Sequence, residues 1–352
     1  MKRIGLIDEI RLKNIPLQHH AEHELCFHLH DLMVGLLKEM EAQQVARISF
    51  TIETEEDRRL LQSGVHVLDI LAQTGRGDLE RRATINHVSL ALFADMAHFI
   101  YEGLIALEKR KFAVAFCLLR KPFKEGMLLA AQMCADEQSF FERMKTNAKS
   151  LLERKDEASI KALLSAALKA CRCSSYARPD MIYTSVFDRK NEFGLAQLFD
   201  KATHLITEFR QIETENYNIN FIFKSSEDND VYQNVYRQLS TLLLFLNLMQ
   251  VNLYSRMGVA KEKYLAWILF TSIASYEAMF LTGRAKLTSL VNSNFAQFLV
   301  CPTCSSKITI KKEDAPRLFI GETVDCGSCQ MSTHFPFGWL LSRIEVSMLD
   351  DK

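Results

Sequence analysis

Apolar residues recur at three- and four-residue steps along most of this chain, and that spacing predicts helices. Leu25, Leu29, Leu32, Met33, Leu36 and Met40 form one stripe in a helix expected over 18–44. The lead-in, residues 1–16, lacks such a stripe and ends at Pro16. Ile48, Phe50 and Ile52 alternate with polar residues, which predicts a short extended segment. Thr54 followed by Asp57 marks a helix start. The helix it opens is expected to run to Gln73, with Leu61, Val65, Leu68 and Leu71 on one face. Gly75-Arg76-Gly77 breaks it. A long helix follows, from Asp78 or Thr84 to Lys109, with Phe93, Met96, Ile100, Leu104 and Leu107 on a broad apolar face. The next runs from Phe112 to Cys134, where Pro122 is expected to kink it or start a new segment, since proline removes a backbone donor.

Shorter helices are predicted at 136–148 and 156–171, and residues 171–179 read as a linker. Helices are then expected at 180–187, 194–212, 229–256, 261–282 and 286–298, with a weakly alternating, extended Tyr217–Phe223. Two of these segments call for a membrane check. Leu239–Leu253 is apolar for fifteen residues and contains Asn247, Gln250 and Asn252. Tyr264–Leu281 is eighteen residues long and contains Ser272, Ser275 and Glu277. A spanning helix needs about 20 predominantly apolar residues, so both read as core helices and no membrane partner is expected. The fold class that follows is mainly α: a large helical, bundle-like body with a small β element near the C-terminus. The pattern divides it into regions 1–175, 176–298, 299–340 and a tail, 341–352.

Composition sharpens this in two respects. Apolar residues make up 48% of 352, enough for a large core, and 43 basic side chains cancel 43 acidic ones. The long-range positive field that draws proteins to nucleic acid is therefore lacking. Five of the nine cysteines lie outside any regular framework, which suits reduced thiols in a cytoplasmic protein. The first ten residues, Met1 to Ile10, have no long apolar stretch of the kind a signal peptide needs.

The remaining four cysteines carry the most specific chemistry. Cys301-Pro-Thr-Cys304 is followed, twenty-one residues later, by Cys326-Gly-Ser-Cys329. Two such hooks can set four thiolates at the corners of a tetrahedron, which suits one Zn²⁺ ion. Four thiolates leave no open coordination position, so the ion would be structural. Short strands are expected at Lys307–Ile310, Leu318–Ile320 and Thr323–Val324. His334 lies just beyond as a substitute ligand. Residues 301–352 hold six Lys/Arg and seven Asp/Glu, which disfavours a phosphate-binding surface. Phe335, Phe337, Trp339, Leu340 and Leu341 form an apolar tail suited to docking on the helical body or on a partner. Residues 299–337 resemble a zinc ribbon of the rubredoxin-like kind, with Ser305 where many members place glycine. That resemblance implies a small β module whose folding is coupled to its metal, with iron as the alternative ion.

Three weaker constellations lie in the helical part. His20, Glu24 and His28 are four residues apart, with Asp31 nearby, and share a helix face away from the leucine stripe. Such a face is either a solvated surface or half of a helical-bundle metal site. Arg82 and His87 fit an Arg-x4-6-His pattern, as do Arg81–His87 and Arg59–His66. The Arg82–His87 pair resembles the ribonuclease motif of bacterial helical HEPN proteins, although Ala83 stands where that family favours a polar residue. The resemblance implies a dimeric, metal-independent endoribonuclease, with arginine stabilising phosphate charge and histidine moving a proton. Finally, Arg120, Lys121, Lys124 and Glu125 surround Pro122, either as an Arg–Glu pair fixing two helices or as a polar cleft. No phosphate-binding glycine loop, Gly-x-Ser-x-Gly elbow or His-Glu-x-x-His motif occurs.

The expectation that follows is a zinc-binding helical protein acting as an interaction or regulatory module, with a protein partner or a second copy of itself. Its loose resemblance to bacterial helical proteins places it in stress response or phage defence. The alternatives are a ribonuclease using Arg82 and His87, or a metalloprotein using His20, Glu24 and His28.

Overall fold

The single turn α1 (Glu9–Leu12) leads into α2 (His20–Ala42), where the predicted leucine stripe becomes a buried face. The computed structural model describes residues 1–153, 155–208, 212–220, 227–283 and 285–343. Residues 48–52 are irregular rather than paired strand. The helix expected from Thr54 to Gln73 is two, α3 (Glu55–Gln62) and α4 (Val67–Gln73). They are separated at Ser63–Gly64, where Gly64 adopts a φ of +77°, a conformation glycine reaches without steric cost. The predicted start is confirmed: Thr54 and Asp57 form a reciprocal capping box. Arg76 then clamps the Asp57 carboxylate at 2.7 Å and 2.9 Å.

The long α5 (Gly77–Glu108) follows, then α6 (Phe112–Lys121), a π-helical turn at Pro122–Gly126, and α7 (Met127–Ala135). Proline cannot donate the bond an α-helix requires of it, and the wider π turn carries the chain onward without breaking it. The predicted kink is therefore a change of helical winding. Gly126 makes the turn fit, because a Cβ there would overlap the buried Met96 side chain of α5.

α8 (Glu137–Asn147) and α9 (Glu157–Ala170) match their expected spans. Residues 171–178, read as a linker, instead form a packed turn with Cys171, Cys173 and Ala177 buried in the core. α10 (Pro179–Val186) and α11 (Leu195–Thr203) follow, and α11 ends nine residues before the predicted position 212. Of the Tyr217–Phe223 segment, 217–220 is turn and irregular chain, and 221–223 lie outside the described residues.

The two apolar segments become α12 (Asp230–Ser255) and α13 (Glu262–Phe280), both largely buried. The polar residues inside α12 have partners that explain them. Asn247 and Gln250 donate side-chain bonds to the Leu29 and Met33 carbonyls of α2, at 2.8 Å and 3.1 Å. By length and composition α5 could cross a membrane, and here its Phe93, Met96, Ile100, Leu104 and Leu107 are buried in the main core. A polar network ties α1, α2, α5 and α12 together. Arg11 grips the buried Glu108 through two bonds of 3.1 Å and 2.6 Å. Glu108 lies 3.2 Å from the ring of His23, whose other nitrogen lies 2.8 Å from the Tyr236 hydroxyl.

The chain closes with α14 (Lys286–Asn294), α15 (Ala315–Gly321), strands β1 (Thr323–Asp325) and β2 (Ser332–His334), and α16 (Phe337–Arg343). The strands pair antiparallel, with Val324 opposite Thr333. The predicted fold class holds: the protein is mainly helical, with only this two-stranded sheet among the described residues.

Candidate metal centre

Each cysteine hook is built by a tight turn around sulfur. In the first, the Ser305 amide donates to the Cys301 carbonyl and the Cys301 amide to Ser306, both at 2.9 Å. The second repeats this, with Gln330 donating to Cys326 at 2.9 Å and Cys326 to Met331 at 3.0 Å. Both turns end in a left-handed residue: Ser305 has φ +57° and Gln330 φ +60°. That conformation favours glycine, the residue that many zinc ribbons place at the position of Ser305.

The two hooks bring their sulfurs together. All four Sγ atoms lie within 4.8 Å of one another. Cys301 and Cys329 are 3.6 Å apart, as are Cys304 and Cys326. A tetrahedron with metal–sulfur bonds of about 2.3 Å has edges of roughly 3.8 Å, so the sulfurs stand close to the positions that Zn²⁺ coordination requires. The electrostatics point the same way. The Cys304 thiol is pulled down to about 6 by the hydroxyl and amide of Ser306. The Cys301 thiol is lowered by the Cys304 amide. At Cys329 the Met331 amide also pulls downward, but burial and the three neighbouring sulfurs outweigh it and push the thiol up to about 12. Four thiolates crowd one another without a cation between them, and a divalent ion removes that conflict. His334 takes no part in the cluster: it is exposed, 3.7 Å from Glu322.

Of the three expected strands, Thr323–Val324 is present in β1 and the other two are not strands. Leu318–Ile320 lies in α15, and Lys307–Ile310 contributes only an isolated bridge between Lys307 and Val300. Pro316 in the first turn of α15 suits a helix start, and Leu318 and Phe319 form its buried face. Phe319 packs with Phe270 of α13 and Phe337 of α16, with ring centres 5.2–5.5 Å apart. Phe335, Phe337, Leu340 and Leu341 are buried there, while Trp339 points outward. The apolar tail thus docks the ribbon on the helical body. Asn292 of α14 adds a two-way amide clamp, donating to and accepting from Ile310 at 2.8 Å each way. Lys2 reaches across from the lead-in to Asp314 and Asp325, at 2.8 Å and 3.4 Å.

The weaker constellations are resolved differently. The His20, Glu24 and His28 face is neither solvated nor a metal site. Glu24 is fully buried, and its carboxylate accepts the backbone amides of Ile4, Gly5, Leu6 and Ile7 at 2.6–3.2 Å. His20 bonds the Ile15 carbonyl at 2.8 Å, and His28 is buried with Nε2 unpaired. Among the described residues the four cysteines are the only group of three or more ligands positioned for a metal. The lead-in's closure onto Glu24 left no signal in the sequence beyond Gly5, because every residue but proline offers the same backbone amide donor.

Arg82 and His87 lie on the same helix, five positions apart, and so point about 140° away from each other. Arg82 is taken by Glu137 of α8 at 2.7 Å, and His87 is exposed. Around Pro122 the charges serve packing. Lys121 pairs with Asp95 of α5 at 2.8 Å and Lys124 with Asp200 of α11 at 3.1 Å. Arg120 and Glu125, 3.7 Å apart, belong to one continuous helical run, so the joining of helices expected of them falls to the two lysines. No protein-family model matches this chain, and neither a curated protein nor a solved structure does. The ribonuclease resemblance therefore has no support outside its six residues.

Proposed function

We propose that this protein works by binding rather than by catalysis, as a zinc-stapled helical module that presents its ribbon to a protein partner. The observation that carries this reading is the closed four-sulfur cluster on a ribbon buried against α13. A Zn²⁺ ion held by four thiolates has no free position for water or substrate, so its work is to fold and hold the ribbon. Around that ribbon Phe298, Val300, Met331 and Trp339 remain 42–56% exposed, although apolar side chains were available to fill the interior. Exposed apolar side chains of this size are common material of a protein–protein contact.

The test joins metal analysis to activity. Purified protein should contain one zinc per chain and leave RNA intact. RNA cleavage that disappears in His87→Ala would overturn the reading. Light scattering across a concentration series, for wild type and a Met331→Ser/Trp339→Ser variant, tests whether the partner is a second copy.

A further inference from the structure

A cleft of about 420 Å³ opens between the turn 174–178, α10, α12 and the end of α13. Its volume falls in the range of small-molecule sites. Its walls divide by chemistry. Ile182, Leu242, Phe280 and Leu281 supply an apolar floor with an aromatic face, and the exposed Met181 lies toward its edge. Arg178 and Arg237 stand at the rim, both exposed. Neither forms a close ion pair among the described residues; Asp180 is bound to Lys161 at 2.7 Å and lies near enough to Arg178 to feel its charge. Between rim and floor lies a layer of hydroxyls. Thr241 Oγ1 lies 2.7 Å from the buried Tyr276 hydroxyl, and the Ser185 hydroxyl donates to Gln238 at 2.6 Å. Ser174 and Ser175 add two more at the mouth.

Among the described residues the lining contains no Asp, Glu, His or Cys, so it offers no ligand set for a metal ion and no base beside the hydroxyls. Two guanidinium groups outside any close ion pair can recognise planar or tetrahedral anions through paired N–H donors. An apolar floor beneath them takes the uncharged part of the same molecule.

We propose that this cleft binds a small organic anion: a carboxylate or phosphate monoester head held by Arg178 and Arg237, on a flat apolar body seated against Leu242 and Phe280. The site would make the helical body responsive to a metabolite-sized ligand.

Calorimetric titration of the full chain with phenyl phosphate, benzoate, benzyl alcohol and inorganic phosphate tests it. Charge-assisted hydrogen bonds imply that at least one anionic aryl probe binds about tenfold or more tighter than benzyl alcohol and inorganic phosphate. The tighter of the two aryl anions identifies the head group. In an Arg178→Gln/Arg237→Gln variant that preference should disappear with the helical circular dichroism unchanged, since both side chains are exposed. The proposal is overturned if no probe binds, if inorganic phosphate binds as well as the aryl anions, or if the double variant keeps the preference.

Discussion

His28 shows what a single side chain costs when helix α2 turns its polar face inward. Burial pulls its pKa from 6.5 down to about 4, and its Nε2 atom has no partner. Below pH 6.5 the unfolded chain therefore takes up a proton here that the folded chain refuses. Stability is fully present above that pH, falls as pH drops, and stops falling near pH 4. The shift amounts to about 3 kcal/mol. In His28→Phe that part of the decline should vanish, as read from urea unfolding at a series of pH values with the metal kept constant. Parallel profiles for the two proteins would show that His28 is not its source. The spacing of His20, Glu24 and His28 was legible; their burial was not. Whether a polar face meets water or a neighbouring backbone depends on what packs against it, and here that is the lead-in folded over Glu24.

At the scale of elements, periodicity located most helices and misjudged their joints. Gly64 split one expected helix, and Pro122 changed the winding of another without ending it. A proline's missing donor is a local fact, but the π turn that absorbs it depends on α5 lying close enough to accept Gly126. Gly126→Ala should therefore destabilise the protein by about 1 kcal/mol, as overpacking against Met96 outweighs the gain in helix propensity. Denaturant unfolding at unchanged slope checks this, and a stabilised variant would show that the π turn has room to spare. In the ribbon, Leu318-Phe319-Ile320 reads as strand because three adjacent bulky apolar residues suit either element. The aromatic contacts to Phe270 and Phe337 select the helix.

Across the whole molecule, the ribbon and the helical body share an apolar core at α13 and α14 but differ in what else holds them. The body has a large core that includes α2, α5 and α12, whereas the ribbon's own pairing is one three-residue ladder. Zinc removal by a strong chelator, or Cys326→Ser, should detach the ribbon and leave most helical circular dichroism in place. Both tryptophans, Trp267 and Trp339, stand at this junction, and Trp267 Nε1 would be 3.3 Å from a Cβ at Gly338. Their emission should shift on chelation. A cooperative loss of all helix signal would instead mean that the metal holds the body as well.

The sequence by itself determined the helical class, because a 3.6-residue apolar period can be buried only by packing helix on helix. It also marked the four cysteines that cluster, because each Cys-x-x-Cys turn sets its own pair of sulfurs side by side. Tertiary structure decided the rest. It placed Glu24 under four backbone amides, gave Arg82 to Glu137 and turned the apolar tail inward. It also left Arg178 and Arg237 beside an apolar cleft. Each of these outcomes joins residues distant in the chain through partners that no local pattern specifies.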